Sequence, residues 1–353
     1  MKKFAWLSIV LIVALHIRIH AQDAESLPEN PIITPENANQ IVELTMIGDG
    51  GVWDVETGEL IYALQGYDMA RVNTIAYSPN GNTIASVSGS TIFLWDTTIK
   101  SLLKQFEATE SIASLIFSPD GNMLVSGGDL GVRVFDVAMG EAVQSMDISA
   151  CCLAFSPDSQ TLVIGSYDIV HLFDTNKWIS WQIFLNEVQR GNITSVAVSP
   201  DGQSLLIIAV EVGGAENNYI WDLATLGFKY ILKGYVDSIH IAIYSPDGLR
   251  VAGGATDGKL HVWDIETGEI VYDLQGVEIA IQTIAYSPDG RMIIAGHDDG
   301  TIEIWDVEAQ TMVSVLNGHT DGLTTVAFSP DGRFIASSAD DGTIRIWGVP
   351  NNE

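Results

Sequence analysis

Four residues in the C-terminal part of the chain have the types and spacing for a buried relay of hydrogen bonds. They are His319, Ser337, Asp341 and Trp347. The indole of Trp347 can donate to Ser337, the serine hydroxyl to His319, and the imidazole to Asp341. Each such bond contributes about 1 kcal/mol, and more where water is excluded. A catalytic role is the alternative, but we interpret the four as a structural set.

The segments around these residues predict the strands that position them. Thr324–Phe328 and Thr343–Trp347 alternate apolar and polar residues, and Phe334–Ser337 is a short apolar run between them. Tight turns of the types Ser-Pro-Asp-Gly and Asp-Asp-Gly separate the three runs. Turns this short join antiparallel neighbours, so the stretch is predicted to be an antiparallel meander.

The Ser-Pro turn recurs along the chain at intervals of 38 to 46 residues. A period near 40 with several short strands is typical of propeller blades rather than helical solenoids. The turns begin at Ser78, Ser118, Ser156, Ser199, Ser245, Ser287 and Ser329. Each is followed by an aromatic end: Trp95-Asp96, Phe135-Asp136, Phe173-Asp174, Trp221-Asp222, Trp263-Asp264, Trp305-Asp306 and Trp347-Gly348.

The order Gly-His, Ser, Asp and Trp in the last repeat resembles a WD40 repeat, and the resemblance extends from Ile41 to Trp347. It implies an all-β fold, a seven-bladed β-propeller of four-stranded antiparallel blades. Residues 41–57 look like a truncated repeat, so eight blades with one truncated at the N-terminus is the alternative. Seven complete repeats occupy 58–349. We expect Leu60–Leu64 to supply the outer strand of the last blade and so close the ring.

The N-terminal residues predict export. Lys2 and Lys3 precede the apolar run Phe4–Ile17, and Ala21 ends a sequence that resembles a signal peptidase site. The apolar run is shorter than the roughly 20 residues of a membrane span, so residues 1–21 are predicted to be a cleaved signal peptide of bacterial style, with an uncleaved anchor as the alternative. Residues 22–40 are a polar, Pro-containing spacer. The expected location is secreted, periplasmic or in the cell envelope.

The net charge restricts the classes of partner that the chain can bind. The formal charge is −29, from 16 basic and 45 acidic residues, which argues against nucleic acid as a partner.

The two cysteines, Cys151 and Cys152, are adjacent in a predicted strand. Neighbours in a strand point to opposite faces, so we expect them not to bond to each other.

The rest of the sequence has few signals for catalysis. It has no metal-ligand spacing, no phosphate-binding loop and no nucleophile turn, so no metal and no cofactor are predicted. In propellers the first strand of each blade lines the central axis. The corresponding segments contain no Asp, Glu, Lys, Arg or His, and convergent ionisable groups are what an enzyme needs. The chain is therefore not expected to be an enzyme.

The family resemblance also implies a binding face. In WD40 rings the loops between the second and third strands and those before the first strands emerge on one face, which usually binds partners. The candidate residues there are Tyr67, Arg71, Tyr167, Tyr235, His297, Asp298 and Asp340. Two long loops of the fourth repeat are expected to form a lip, or else are neutral drift; their residues are Glu187, Arg190, Glu211 and Glu216.

These observations favour a non-catalytic binding module, most simply a scaffold for other proteins, built as a monomeric ring outside the cytoplasm and not inserted in a membrane. Two alternatives stay open. An exported hydrolase or lyase would need ionisable groups on the long loops of the fourth repeat, and a lectin-like protein would use tyrosine rings against sugars.

Overall fold

The computed structural model describes residues 31–47, 52–53, 60–62, 72–96, 101–108, 112–184, 192–210, 216–233 and 239–349. These residues form an all-β protein, a propeller of seven four-stranded antiparallel blades. A 3-10 turn, Ala38–Gln40, precedes the first strand.

The first three blades are meanders of consecutive strands. They comprise β4 to β15: Val72–Tyr77, Thr83–Ser88, Thr91–Asp96 and Ser101–Glu107, then Ile112–Phe117, Met123–Gly128, Gly131–Asp136 and Glu141–Met146, then Cys152–Phe155, Thr161–Ser166, Ile169–Asp174 and Ser180–Phe184.

The next three blades repeat this order. They comprise β16 to β27: Asn192–Val198, Ser204–Val210, Glu216–Asp222 and Gly227–Leu232, then Ile239–Tyr244, Arg250–Ala255, Lys259–Asp264 and Ile270–Gln275, then Ile281–Tyr286, Met292–His297, Ile302–Asp306 and Thr311–Leu316.

The seventh blade joins the two ends of the described chain. Its inner strands are β28 (Leu323–Phe328), β29 (Phe334–Ala339) and β30 (Ile344–Gly348), and its outer strand is β1 (Val42–Ile47). Strand β1 runs antiparallel to β30, with a register shift after Glu43. Because this outer strand comes from the N-terminal part, the ring is closed by pairing between distant segments, which removes an exposed sheet edge.

The expectation that Leu60–Leu64 closes the ring is wrong. Strand β1 already occupies the edge of β30, and β3 (Leu60–Tyr62) instead pairs with β2 (Val52–Trp53) in a separate two-stranded sheet. The residues before β1 explain its position. Ile33 donates its N–H to Gly332 of the last blade at 2.8 Å, and Ile33 and Ala38 are buried in that blade's core. The end of the predicted spacer thus packs on the ring and delivers β1 to its partner.

The hydrophobic core lies between blades. Each of the seven apolar clusters combines side chains from two neighbouring blades, and one combines Ile75 and Trp95 of the first blade with Ala336 and Ile344 of the last. The first strand of each blade contacts the first strands of both neighbours, and β28 contacts β4. Each blade is therefore stabilised by burial against the next around a complete circle.

Each Ser-Pro turn is stabilised by hydrogen bonds between its own residues. In each, the serine Oγ donates to the acidic or amide side chain two residues later at 2.5–2.8 Å. In the last blade the N–H of Phe334 donates back to Ser329 Oγ at 2.9 Å, and Gly332 takes the positive φ that the turn needs. These contacts explain why the motif marks the junction of first and second strands.

Candidate functional site

The predicted relay is present in the last blade. Trp347 Nε1 donates to Ser337 Oγ at 2.8 Å, Ser337 Oγ lies 2.7 Å from His319 Nε2, and His319 Nδ1 lies 3.0 Å from Asp341 Oδ2. Since the serine accepts from the indole, its own proton is directed to Nε2, and Nδ1–H then donates to the carboxylate.

Burial decides what this relay can do. Ser337 is completely buried, and the side chain of His319 has no exposed surface. Burial alone would favour a protonated Asp341. Hydrogen bonds from His319, the N–H of Thr320 and Thr343 outweigh it and hold the pKa of Asp341 well below its usual range. A serine enclosed in this way has no access to a substrate, so the geometry is that of a structural clamp between strands.

Other blades satisfy their tryptophan differently. In the first blade Trp95 Nε1 donates to Ser86 at 2.7 Å, which preserves half of the relay. In the fifth, Trp263 Nε1 donates to the carbonyl of Lys233 at 2.9 Å. In the fifth blade the tryptophan donor thus finds a partner although the serine is replaced, whereas Trp221 Nε1 of the fourth blade has none among the described residues.

The sixth blade contains a buried ion pair that the sequence analysis missed. His297 Nε2 lies 3.3 Å from Glu303 Oε2, and both side chains are almost fully buried. The carboxylate also accepts from the N–H of Val277 at 2.8 Å and from Trp305 Nε1 at 3.1 Å. His297 Nδ1 lies 3.0 Å from the carbonyl of Ile279. Glu303 thus replaces the serine as the acceptor for the tryptophan.

The two members of this pair hold each other charged. Burial disfavours the imidazolium, but Glu303 and the Ile279 carbonyl outweigh it and raise the pKa of His297. Burial also disfavours the carboxylate, but His297 and the N–H of Val277 outweigh it and lower the pKa of Glu303. The signal in the sequence is a glutamate inside an apolar strand, in a repeat where Val277 stands in the position of the relay histidine.

The assignment of His297 to an exposed binding face is wrong, because its side chain is buried in this pair. Asp298, the next residue, is exposed, and Asp340 is half-buried. Asp340 donates its N–H to the carbonyl of Gly322, and a Cβ on Gly322 would lie 3.0 Å from Asp298 Oδ1. The fold therefore brings Asp298 and Asp340 together at the junction of the sixth and seventh blades.

The remaining predicted face residues are divided between described and undescribed parts of the chain. Tyr167 is 64% exposed, has a φ of 51° in the turn after β13, and its carbonyl accepts from the N–H of Ile193. Glu216 is the first residue of β18, and the structure describes its backbone but not its side chain. The residues outside the described ranges are Tyr67, Arg71, Glu187, Arg190, Glu211 and Tyr235. The lip on the fourth blade stays a prediction.

A groove at the other end of the strands was not predicted from the sequence. It lies between the third and fourth blades, has a volume of about 600 Å³, and is lined by Trp181, Leu226, Asp158 and Asp201 among others. The indole of Trp181 is half exposed. Hydrogen bonds from Ser156 and from Ser199, respectively, lower the pKa values of Asp158 and Asp201. The groove therefore combines an aromatic surface with two carboxylates.

The cysteine pair also differs from expectation. Strand β12 begins at Cys152, so Cys151 lies in the bend before it and the opposite-face rule does not apply. The two Sγ atoms are 2.8 Å apart, and both thiols are free. The two cysteines are not bonded to each other, as expected, but their sulfurs are in contact and do not lie on opposite faces of a strand.

Neither a membrane helix nor a metal cluster is found in the described part of the chain. No helix there has the length and apolar character of a membrane span. Among those same residues, no three side chains of His, Cys, Asp or Glu are grouped so that they could hold a metal ion.

Comparison with known families identifies the repeat. The sequence model of "WD domain, G-beta repeat" matches residues 58–96, 100–136, 144–174, 227–264, 268–306 and 310–348, more than half of the chain. The chain belongs to the WD40 repeat family.

Individual relatives cover only part of this WD40 chain. It is 32% identical over 48% of its length to cilia- and flagella-associated protein 52 of Chlamydomonas reinhardtii, covering 28% of that protein. It is 30% identical over 33% of its length to small ribosomal subunit protein RACK1 of Schizosaccharomyces pombe, covering 40% of that protein. It is 27% identical over 40% of its length to MST50-interacting protein 11 of Pyricularia oryzae, covering 46% of that protein. The chain thus spans less than half of each of these relatives.

The matched WD40 repeats leave out residues 175–226, which include most of the fourth blade. This blade nevertheless has four paired strands. In its second strand Leu205, Leu206, Ile207 and Ile208 are all completely buried, so both faces are covered by neighbouring blades. Hydrophobic burial maintains the blade where the polar WD40 markers are weak.

Proposed function

We propose that this WD40 ring is a non-catalytic scaffold that binds other proteins outside the cytoplasm. The observation that carries the proposal is the ring itself, in which the relay of the last blade and the ion pair of the sixth are buried. Exposed side chains of the loops, such as Tyr167 and Asp298, are then the groups that a partner can reach. Large aromatic side chains in such positions are typical anchors of interfaces.

The inner strands support binding over catalysis. As bounded in the structure, the seven first strands contain no Asp, Glu, Lys or Arg, and His240 is their one histidine. The names of two relatives point the same way, since one is a ribosomal subunit protein and another interacts with MST50. The net charge of −29 favours a partner with a cationic surface and disfavours nucleic acid.

The test is capture of a partner followed by measured affinity for that partner in purified form. The bait is the chain from Gln22, exposed to proteins of the producing cell's envelope and medium. A face variant combines Tyr167→Ala, Asp298→Ala and Asp340→Ala, and Trp181→Ala in the groove is the matched control. We expect the face variant to bind about tenfold or more weakly by calorimetry and the control to bind normally. Equal affinity of the face variant and the unmodified chain would refute this location of the binding face.

Export has its own test. The full chain is produced in a cell that processes secretory signals, and the released protein is weighed by mass spectrometry. A mass equal to that of the chain starting at Gln22 supports cleavage after Ala21. Deletion of residues 2–17 should then keep the protein inside the cell. Release of a chain that still contains its leader would contradict the cleaved signal.

The groove favours a second candidate function, carbohydrate binding. The indole of Trp181 offers an apolar surface to a sugar ring, and ionised Asp158 and Asp201 offer acceptors to its hydroxyl groups. A glycan array probed with the chain and with Trp181→Ala separates this role from the scaffold. Glycan binding that depends on Trp181, without a protein partner on the face, would favour the lectin-like alternative.

A further inference from the structure

The adjacent cysteines of the third blade form a site that lies outside the proposed binding role. Their Sγ atoms are 2.8 Å apart, closer than the roughly 3.5–4.0 Å at which non-bonded carbon atoms rest. Cys151 is exposed and Cys152 is half-buried. Cys151 is thus the residue of the pair that lies nearer to the solvent, and the sulfur of Cys152 is in contact with its sulfur.

The backbone of the neighbouring strand holds the two sulfurs together. Cys152 is the register partner of Gly165, and the N–H of Cys151 donates to the Gly165 carbonyl at 3.0 Å. The Cys151 thiol also lies 3.3 Å from that carbonyl. A Cβ on residue 165 would lie 2.5 Å from Cys152 Sγ and 3.3 Å from Cys151 Sγ. Glycine at this position therefore leaves the space that both sulfurs occupy.

The surroundings of the two thiols shift their pKa values in opposite directions. A hydrogen bond from Cys152 lowers the pKa of Cys151, whereas burial, together with Cys151, raises the pKa of Cys152. The thiolate is the nucleophile in exchange reactions. Cys151, the more exposed residue and the one whose pKa is lowered, is therefore suited to attack first, and Cys152 is suited to react second.

We propose that Cys151 and Cys152 are a dithiol oxidation site, at which exchange with a small disulfide such as glutathione disulfide joins the two adjacent residues. The Cys151 thiolate attacks glutathione disulfide, forming a mixed disulfide and releasing one glutathione thiolate. The Cys152 sulfur, on losing its proton, then attacks Cys151 Sγ and releases the second glutathione thiolate. Overall the protein gives up two protons and two electrons, and one glutathione disulfide takes them up and becomes two glutathiones.

The product should be easy to reduce. Adjacent Cα atoms across a trans peptide are about 3.8 Å apart, whereas bonded cysteines usually have Cα atoms about 4.4–6.8 Å apart. The ring formed by neighbouring residues is therefore strained, and strained, exposed disulfides are the ones most readily reduced. The site is reversible on this basis rather than a permanent structural crosslink.

The full folded chain is incubated with glutathione disulfide and then alkylated, and its intact mass is measured. Digestion follows, and the mass of the peptide that contains residues 150–166 locates the change. We expect the unmodified protein to lose two hydrogens, keep no glutathione and resist alkylation, and to regain two alkylatable thiols after dithiothreitol. Cys152→Ser should instead retain one glutathione on Cys151, and Cys151→Ser should react at least about tenfold more slowly. Circular dichroism establishes that both variants are folded.

Two outcomes would overturn the proposal. One is a stable glutathione adduct on the unmodified protein, because the second thiol would then fail to displace it. The other is full alkylation of both thiols after the incubation, because no exchange would have occurred. Both are read from the unmodified chain and so do not depend on the folding of a variant.

Discussion

Replacing Glu303 with alanine tests whether the buried pair of the sixth blade stabilises the ring. The carboxylate is 1% exposed and contacts His297 Nε2, the N–H of Val277 and Trp305 Nε1 at 3.3, 2.8 and 3.1 Å. Alanine would leave these three groups without their acceptor in a place that water does not reach.

The expected loss follows from this geometry. Removal of one partner of a buried pair costs about 3–5 kcal/mol, since the other charge is left uncompensated. At roughly 2 °C per kcal/mol for a domain of this size, the melting temperature should fall by about 6–10 °C. Urea unfolding followed by tryptophan fluorescence and circular dichroism measures the change. Glu308→Ala, an exposed glutamate of the same blade, should stay within about 0.5 kcal/mol.

The pH dependence separates an ion pair from a neutral contact. The pKa of His297 is raised, so its stabilisation is complete below about pH 6.5 and is lost as the pH rises through the folded value. The pKa of Glu303 is lowered, so its stabilisation is complete above about pH 4.3 and is lost as the pH falls through the folded value. The difference between the unmodified protein and Glu303→Gln should therefore be largest between about pH 4.3 and 6.5.

Either of two results would refute this reasoning. If Glu303→Ala unfolds within about 1 kcal/mol of the Glu308→Ala control, the cost of stranding buried partners has been overestimated. If the difference between the unmodified protein and Glu303→Gln is flat across this pH range, the histidine is neutral and the contact is not an ion pair.

Three further predictions concern the last blade. Ser337→Ala should lower the free energy of unfolding by about 1–3 kcal/mol, because the indole and imidazole lose a shared partner, while exposed Ser180→Ala should change little in the same urea titration. The pKa of Asp341 is lowered, so the advantage of the unmodified protein over Asp341→Asn should be complete above about pH 4 and shrink towards pH 2 in unfolding curves. Deletion of residues 31–47 should uncover the edge of β30, and size-exclusion chromatography should show aggregates in place of the monomer that we expect from the unmodified chain.

The blades were predictable because their signals are local. The Ser-Pro turn needs a serine and an acceptor two residues apart, as in Ser329 and Asp331, and this contact forms wherever the motif occurs. The relay was predictable because its four side chains lie in one repeat. Regular turns and a regular period together specify a propeller.

The errors arose where distant segments compete or where a partner is replaced. Strand β1 and Leu60–Leu64 both have the composition of a strand, and the packing of Ile33 and Ala38 on the last blade, which places β1 beside β30, is not visible in the sequence. His297 looked like a loop residue because its partner, Glu303, belongs to the following strand. The opposite-face argument for the two cysteines does not apply because the strand begins one residue later than the apolar pattern suggests.

The pairing of β1 with β30 sets an order of events during synthesis. Strand β1 emerges early, but its partner is made only after all the other blades, so the unfinished chain must keep an open hydrogen-bonding edge for most of its production. A chain that ends before β30 cannot close the ring and leaves that edge exposed permanently, which makes it prone to aggregation and proteolysis. Closure therefore acts as a check on length: only molecules completed through the last blade become rings.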